Sequence, residues 1–265
     1  MNGASPSPLR AMPVRPARTA ELVADELRTR ILRGELRDGE RLPKEDELRE
    51  LFRVSKASMR EALLILETEG LISVRRGNGG GSVVRLPTPE NAAWMLGVVL
   101  NAQTVTIDDV GEALRMLEPQ CAVLCATRPD RHEVVVPVLR AIHEEMRDSL
   151  DDGVAAVETS RRFHEAIVEH CGNGALRLVT GALERLWSAH ERAWAERTAQ
   201  EGHFPDLAER KEALEHHGEV LELIERGDPR AGDALRDHLA HSQRYPSPVD
   251  ESRLVDLSAL RARSF

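Results

Sequence analysis

The hydrophobic positions of the chain recur with the period of a helix, beginning near the N-terminus. Val23, Leu27 and Ile31 are spaced four residues apart, and the arginines between them fall off that stripe. A stripe of this kind is typical of a helix with one buried face. Gly34 follows directly and suits a C-cap, since glycine readily adopts a left-handed conformation. The pattern therefore predicts a first helix that ends beside Gly34.

Two more helices and a hairpin are predicted before residue 86. Residues 44–51 form a short helix, with Leu48 and Leu51 as its buried pair. Ser55 is then placed to cap a helix that runs to about residue 69. The predicted buried face of that helix consists of Met59, Ala62, Leu63 and Leu66. Two β-rich runs around the glycine tract at 77–81 predict a hairpin.

Composition divides the chain into four segments. Residues 1–17 are rich in Pro, Ser and Ala and predict a flexible tail, and residues 18–86 hold the three helices and the hairpin. Residues 87–245 begin with a Pro-containing linker and predict six or seven helices, and residues 246–265 predict a second tail. The expected fold class is therefore mainly α, with a small N-terminal domain followed by an all-helical bundle.

Short helix, tight turn, capped helix and glycine-tipped hairpin follow one another in the order of a winged helix-turn-helix. In that fold the second helix enters the major groove with its N-terminal turn foremost, where small polar and basic side chains reach phosphates and bases. The side chains so placed are Ser55, Lys56, Ser58 and Arg60, and on the wing Arg75, Arg76, Gly77 and Asn78. Lys56 or Arg60 taken alone is more typical of a solvated helix face, and it is the turn spacing together with the wing that favours DNA contacts.

Charge and composition favour a soluble protein over a membrane or secreted one. Residues 1–86 carry 16 Lys and Arg against 13 Asp and Glu, whereas the rest of the chain is strongly acidic and brings the net charge to −9. A basic head on an acidic body suits a nucleic-acid-binding domain joined to a body with another task. The longest apolar run, 92–100, is too short to span a bilayer, and no signal peptide is recognised. Three widely spaced cysteines indicate a reducing, cytoplasmic location.

Residues 18–85 resemble the DNA-binding domain of the GntR family of bacterial regulators. The matching stretches are ILRGEL at 31–36, GERLP at 39–43, VSKASMREA at 54–62, LETEGL at 66–71 and the glycine wing. The resemblance implies DNA contacts from Lys44, Ser55, Lys56, Ser58, Arg60, Arg76 and Gly77. Two positions depart from the family, because Asp46 and Lys56 stand where Arg is usual or common. Lysine lacks the planar fork that arginine offers to guanine, so the operator sequence cannot be carried over.

Three histidines of the helical body lie on apolar stripes in mid-helix. His164, His217 and His238 are each flanked by aliphatic residues three, four or seven positions away. Imidazoles directed into one bundle can converge on zinc or a similar divalent transition metal. The alternative is three separate, hydrogen-bonded core histidines, which is the commoner role of a single buried histidine, and His190 shows the same pattern. Periodicity alone leaves both interpretations open.

Residues 90–241 resemble the FCD ligand-binding domain found in the FadR-type branch of the same family. The matching features are EALRMLEP at 112–119, Phe163-His164, Gly172-Asn173 and the stretch from His217 to His238. Metal-binding members have an Asp four residues before the first His, and this chain has Ser160 there. The resemblance implies a metal site of three histidines, with water or an effector carboxylate at the open positions, and it makes Ser160 a predicted effector contact. It also implies that Arg115 clamps that carboxylate, although an i,i+3 pair with a neighbouring Glu on a wet helix face explains Arg115 as well.

The combined interpretation is a homodimeric transcription regulator that binds a pseudo-palindromic operator. A small carboxylate effector shifts the dimer between DNA-competent and incompetent arrangements, and release from DNA makes it a repressor. One alternative is a metal-free regulator of a longer, acyl-type ligand. Another is a three-histidine hydrolase with Glu165 or Glu219 as base, which leaves the N-terminal domain without a task.

Overall fold

Eleven helices and one two-stranded sheet make up the part of the chain that the computed structural model describes, namely residues 16–75, 81–201, 206–242 and 255. The chain divides into two compact units, and the boundary between them lies between Pro87 and Thr88. The expected fold class, mainly α with a winged helix-turn-helix and a helical bundle, is confirmed. None of the described helices is long and apolar enough to cross a membrane.

The N-terminal unit has the element order that the sequence predicts. Its elements are α1 (Pro16–Leu32), α2 (Glu45–Phe52), α3 (Lys56–Thr68), β1 (Ile72–Arg75) and β2 (Gly81–Val84). Arg53 turns the chain between α2 and α3 in the left-handed conformation, at a φ of 53°. Ser55 caps α3 as predicted, because its hydroxyl accepts a hydrogen bond of 3.1 Å from the backbone N–H of Ser58.

The core of this unit confirms the predicted face of α3 and corrects the predicted face of α2. Met59, Ala62, Leu63 and Leu66 are all buried. Leu48 is buried too, but the prediction for Leu51 is wrong, since its side chain is 70% exposed. An eight-residue helix presents only one narrow stripe to the core, and the half-buried ring of Phe52 occupies the last turn of that stripe instead.

The wing is a regular hairpin fixed to the chain that precedes α2. Its strands are antiparallel and pair Ile72 with Val84 and Arg75 with Gly81. The backbone of β2 also bonds to residues 39–42, with 2.8 Å from the N–H of Val84 to the carbonyl of Glu40. The tip of the wing, with the predicted contacts Arg76, Gly77 and Asn78, lies outside the described residues.

The C-terminal unit contains eight helical segments in its described part, one of which is a single turn. They are α4 (Pro89–Ala102), α5 (Ile107–Thr127), α6 (Arg131–Val134), α7 (Val136–Asp148), α8 (Gly153–His170), α9 (Gly174–Glu201), α10 (Leu207–Arg226) and α11 (Ala231–Ser242). Setting α6 aside, the count agrees with the predicted six or seven. Val255 is also described, and it is buried and accepts a hydrogen bond of 3.0 Å from the Asn101 side chain.

Helices α5, α7, α8, α10 and α11 share one aliphatic core. Cys121, Cys125 and Cys171 are buried in it as free thiols. Burial raises the pKa of the Cys125 thiol to about 12, so it stays protonated. The three histidine-bearing helices, α8, α10 and α11, meet at this core, and α5 passes beside them.

At Gly232, α11 packs closely against α5. A Cβ atom at this position would lie 2.6 Å from Cγ2 of Val123 and 2.9 Å from the backbone oxygen of Pro119. We expect Gly232→Ala to lower the free energy of unfolding by about 1–3 kcal/mol, because the two helices must separate. Gly181→Ala is the matched control, since the nearest atom there is 3.8 Å away. That change should raise the free energy of unfolding by up to about 1 kcal/mol through helix propensity. Urea unfolding followed by circular dichroism measures both, and equal effects of the two changes would contradict the close contact.

Candidate DNA-binding surface and metal centre

Four of the nine predicted DNA contacts lie exposed near the N-terminal ends of α2 and α3. Lys44, Ser55, Lys56 and Arg60 are exposed in the N-terminal unit. Ser58 differs from them, since it is only 6% exposed and its hydroxyl lies 3.0 Å from that of Ser55. Its position indicates a part in the helix cap rather than a surface contact.

Arg60 is held beside α2 by an ion pair. Its Nε lies 3.1 Å and 3.3 Å from the two carboxylate oxygens of Glu45. The pair is largely exposed, so it contributes little to stability, and a phosphate can replace Glu45 as the partner of the guanidinium. Asp46, the departure from the family pattern, is paired on its own helix with Arg49 at 2.8 Å.

The three predicted histidines converge in the interior of the C-terminal unit. His164 of α8, His217 of α10 and His238 of α11 are all buried, and one ring nitrogen from each lies within 4.8 Å of the others. The ring centroids of the three pairs are 4.2 Å to 5.2 Å apart. The structure therefore favours a convergent cluster over three separate core histidines.

The spacing of the ring nitrogens fits a divalent metal. Nε2 of His164 and Nε2 of His217 are 3.1 Å apart. Two nitrogens on one tetrahedral zinc, each at 2.0–2.1 Å, would be about 3.3 Å apart. Among the described residues, Nδ1 of His217 and both ring nitrogens of His238 have no hydrogen-bond partner. Buried nitrogens without partners are costly, and a bound ion would use some of their lone pairs.

The environment of the cluster favours the neutral form of all three imidazoles. Burial lowers the pKa of His164 and takes the pKa values of His217 and His238 well below the usual value for histidine. The neighbouring imidazoles lower the last two further, since each would repel a second positive charge. A neutral imidazole is the form that binds a metal, so the cluster needs to lose no proton before it does so.

Glu118 of α5 was not predicted as a site residue, yet it orients the cluster. It is 1% exposed, and its Oε2 lies 2.8 Å from Nδ1 of His164. Donation from Nδ1 to the carboxylate leaves the lone pair of Nε2 directed at His217, an assignment that follows from the hydrogen-bond pattern. A carboxylate behind a histidine ligand is a common arrangement at metal sites, where it fixes the ring and strengthens it as a donor.

Two more acidic side chains, both from α9, lie near Glu118. Burial raises the pKa of Glu118 and that of Glu191 to about 7, and the pKa of Glu184 well above its usual value. Glu184 and Glu118 are also hydrogen-bonded to each other, which raises the pKa of the first and lowers that of the second. A divalent cation would offset the cost of ionising these groups, so they too fit a metal in the cluster.

A cavity of about 80 Å³ opens beside the histidines. It has room for several waters or one small organic molecule. Its lining includes His164, His238 and the predicted effector contact Ser160. Arg115, the other predicted effector contact, is half-buried on α5 and is not among the lining residues.

Two other arginines, neither of them predicted, line this cavity. Arg161 is almost fully buried and paired with Glu158 and Glu165. Arg210 of α10 is half-buried, and its Nη1 is shielded from solvent without a hydrogen-bond partner among the described residues. Because Arg161 directly follows Ser160 in the sequence, it could have been predicted as a neighbour of the same site. Arg210 follows a Gly- and Pro-containing segment between two helices, and no predicted site residue stands next to it in the sequence, so it could not have been predicted in this way.

Comparison with known proteins agrees with both units. Residues 19–81 match the family described as "Bacterial regulatory proteins, gntR family", and residues 109–241 match the FCD domain. The chain is 28% identical over 237 residues to the HTH-type transcriptional repressor NanR of Escherichia coli K12, an alignment that covers 87% of this chain and 85% of NanR. NanR of Shigella flexneri matches equally well. The solved structure of Streptococcus agalactiae GntR shares the fold with a TM-score of 0.64 at 24% identity, covering 86% of this chain and 100% of that one.

A winged helix-turn-helix joined to a helical FCD domain defines a DNA-binding transcription regulator. This chain belongs to the GntR family of bacterial regulatory proteins and carries an FCD domain. The family assignment confirms the interpretation as a regulator and not a hydrolase. Glu165, one of the bases considered for hydrolysis, is engaged by Arg161.

Proposed function

We propose that this protein is a repressor whose affinity for operator DNA is set by a metal and a small carboxylate held in the FCD domain. The observation that carries the proposal is the buried cluster of His164, His217 and His238 beside a small cavity. A regulatory family and a relative named as a repressor support the first half of the proposal. The chemistry of the cavity supports the second half.

The DNA contacts in this proposal come from the N-terminal unit. Lys44, Ser55, Lys56 and Arg60 meet the major groove and its phosphates, and Arg75 to Asn78 of the wing meet the neighbouring backbone. Ser58 supports these contacts by holding the cap. A cytoplasmic homodimer places two heads on the two halves of the operator, since the symmetry of the protein matches that of the DNA.

The metal in this proposal is zinc or a similar divalent transition metal. His164, His217 and His238 supply three nitrogen ligands, and Glu118 orients the first of them. Such an ion acts as a Lewis acid that binds an anionic oxygen. A serine hydroxyl is a poor ligand, so Ser160 leaves one position to water or to the carboxylate of the effector.

The domain organisation in this proposal is the one that the sequence predicts, with boundaries at residues 17, 86 and 245.

The effector in this proposal is a small carboxylate. One carboxylate oxygen would bind the metal, and Nη1 of Arg210 provides an N–H that is shielded from solvent and has no other partner among the described residues. Arg115 contributes only if its side chain turns toward the cavity when ligand binds. The size of the cavity disfavours the alternative of a long acyl chain, which needs a much larger volume. Regulation follows if the carboxylate binds the DNA-free and DNA-bound arrangements with different affinity.

The test measures DNA affinity of zinc-loaded and chelator-treated protein in the presence of acetate, lactate or succinate. Fluorescence anisotropy with labelled DNA from upstream of the protein's own gene provides the readout. We expect at least one of these carboxylates to weaken DNA binding of the zinc-loaded protein by roughly 5- to 150-fold. The same compound should have little effect on His164→Ala/His217→Ala. If no carboxylate acts, or if both proteins respond alike, the proposed control by metal and carboxylate is wrong.

A further inference from the structure

One face of α9 forms a wall of the cavity beside the histidine cluster. Acidic and indole side chains alternate along this wall, and those that line the cavity are Glu184, Trp187, Glu191 and Trp194. Successive members are three or four residues apart in the sequence, which keeps them on one side of the helix. None of Trp187, Glu191 and Trp194 is a ligand of the proposed metal site, so this face is available to another part of a molecule in the cavity.

Glu191 forms no ion pair with a basic side chain among the described residues. Its carboxylate accepts a hydrogen bond from the indole N–H of Trp187, one helical turn earlier. Arg161 and Arg192 are engaged elsewhere, since both pair with Glu158. Burial raises the pKa of Glu191 to about 7. A cation beside this carboxylate would offset the cost of burying its charge.

The other two acids of the cavity are matched with each other. Glu118 and Glu184 share a hydrogen bond, which requires a proton on one of them. Glu191 lies two helical turns, about 10 Å, further along α9 than Glu184 and is not part of this pair. Acids along one side of the cavity repel a second anionic group of a ligand, whereas Glu191 attracts a cationic group. The wall therefore disfavours a dicarboxylate and favours a ligand that carries an ammonium group.

Hydrogen-bond donors without acceptors lie on other walls of the same cavity. Arg161 of α8 is 5% exposed, and its Nε has no hydrogen-bond partner among the described residues. Nη1 of Arg210, on α10, also lacks a partner there. Buried donors without partners are costly, and the oxygens of a carboxylate would accept from them. The cavity thus combines donors for a carboxylate on α8 and α10 with an acceptor for an ammonium group on α9.

We propose that the effector is a small amino-carboxylate, whose ammonium group binds Glu191 beside the indole of Trp194 and whose carboxylate faces the arginines and the histidine cluster. Trp187 is a positioning residue that holds the Glu191 carboxylate through its N–H. Trp194 adds an aromatic surface, and the negative face of such a ring attracts cations. The cavity volume of about 80 Å³ limits the ligand to a short chain. This ammonium site rests on the proposed function, since a carboxylate effector must occupy the cavity for the site to be used.

The test compares amino acids with carboxylates of the same shape, in which a methyl group replaces the ammonium group. The pairs are alanine and isobutyrate, β-alanine and butyrate, and 4-aminobutyrate and valerate. Isothermal titration calorimetry with zinc-loaded, untagged, full-length protein at about pH 8, where Glu191 is ionised, gives the affinity for each compound. We expect at least one amino acid to bind at least about tenfold more tightly than its methyl partner, because hydrogen bonds between charged groups contribute that much.

Variants of the wall test the individual residues. Glu191→Gln keeps the shape of the side chain and removes its charge, so the preference for the amino acid should fall below about threefold. The affinity for the methyl partner should stay unchanged within about twofold. Trp194→Leu should lower the preference by roughly 2- to 30-fold. Glu215→Gln removes an exposed charge from α10 and is the matched control, which should keep the preference. A variant that merely loses zinc or folded protein affects both members of a pair alike.

The possible results separate the ammonium site from the proposed function. If the methyl compounds bind as tightly as the amino acids, a carboxylate effector stands and the ammonium site is wrong. If Glu191→Gln keeps the preference for the amino acid, the assignment of the ammonium group to Glu191 is wrong. If no member of any pair binds to the unchanged protein, the ammonium site and the proposed carboxylate effector are both wrong.

Discussion

His217→Ala is expected to lower the zinc affinity of the buried histidine cluster by roughly 100- to 1,000-fold. The side chain is fully buried at the centre of the cluster, where its Nε2 faces Nε2 of His164. Structural zinc sites with four ligands bind with about 10–16 kcal/mol, so each ligand accounts for a few kcal/mol and each 1.4 kcal/mol for a factor of ten. Competition with a chelator of known affinity measures the change.

Two conservative variants grade this result. Glu118→Gln should lower the affinity by about 10- to 100-fold, because the amide positions His164 without the negative charge. Ser160→Asp should raise it, because it supplies an acidic ligand at the position where the family has one. His132→Ala is the control for a histidine outside the cluster. Equal zinc affinity in the unchanged protein, His217→Ala and Ser160→Asp would rule out the buried site.

Lys56→Ala/Arg60→Ala is expected to weaken operator binding by at least tenfold for each N-terminal unit. It should also make the DNA affinity depend less steeply on salt. Both side chains are exposed on the N-terminal turns of α3. Each phosphate contact that is lost should reduce the slope of log affinity against log salt by about 1. Anisotropy titrations at several salt concentrations give both quantities.

Charge changes elsewhere provide the comparison. Arg140→Ala/Arg236→Ala removes the same charge from exposed positions of the FCD domain and should leave the slope unchanged. Glu45→Gln should instead strengthen DNA binding, because it frees Arg60 from its carboxylate partner. If the head variant and the FCD variant lose the same affinity, Lys56 and Arg60 do not contact DNA.

The elements of the N-terminal unit could be predicted from the sequence almost completely, because the sequence features that determine them are local. A cap at Ser55, a glycine after α1 and an apolar face on α3 each act within a few residues of themselves. The prediction for Leu51 was wrong because the sequence of a two-turn helix does not determine which residues of its last turn face the core. Only the packing of Phe52 decides which residue of the last turn faces the core.

The site could be predicted in part. Apolar stripes identified three inward histidines, but only the meeting of α8, α10 and α11 brings them together. Sequence reasoning did not identify Glu118 as a site residue, because acidic residues are rarely buried without a partner. Leu114 and Cys121, at i−4 and i+3, place it on the buried face, and its partner His164 is 46 residues away in sequence. Long-range pairing of this kind leaves no trace in a single sequence.

The most direct measurement is the affinity of the unchanged protein for DNA from upstream of its own gene, compared with a scrambled fragment of equal length, between 50 and 200 mM salt. A regulator of this family should prefer the upstream fragment and lose roughly 10³- to 10⁵-fold in affinity over that range if it makes 6–10 phosphate contacts. Equal affinity for both fragments at every salt concentration, with and without zinc, would contradict the assignment of this protein as an operator-binding repressor.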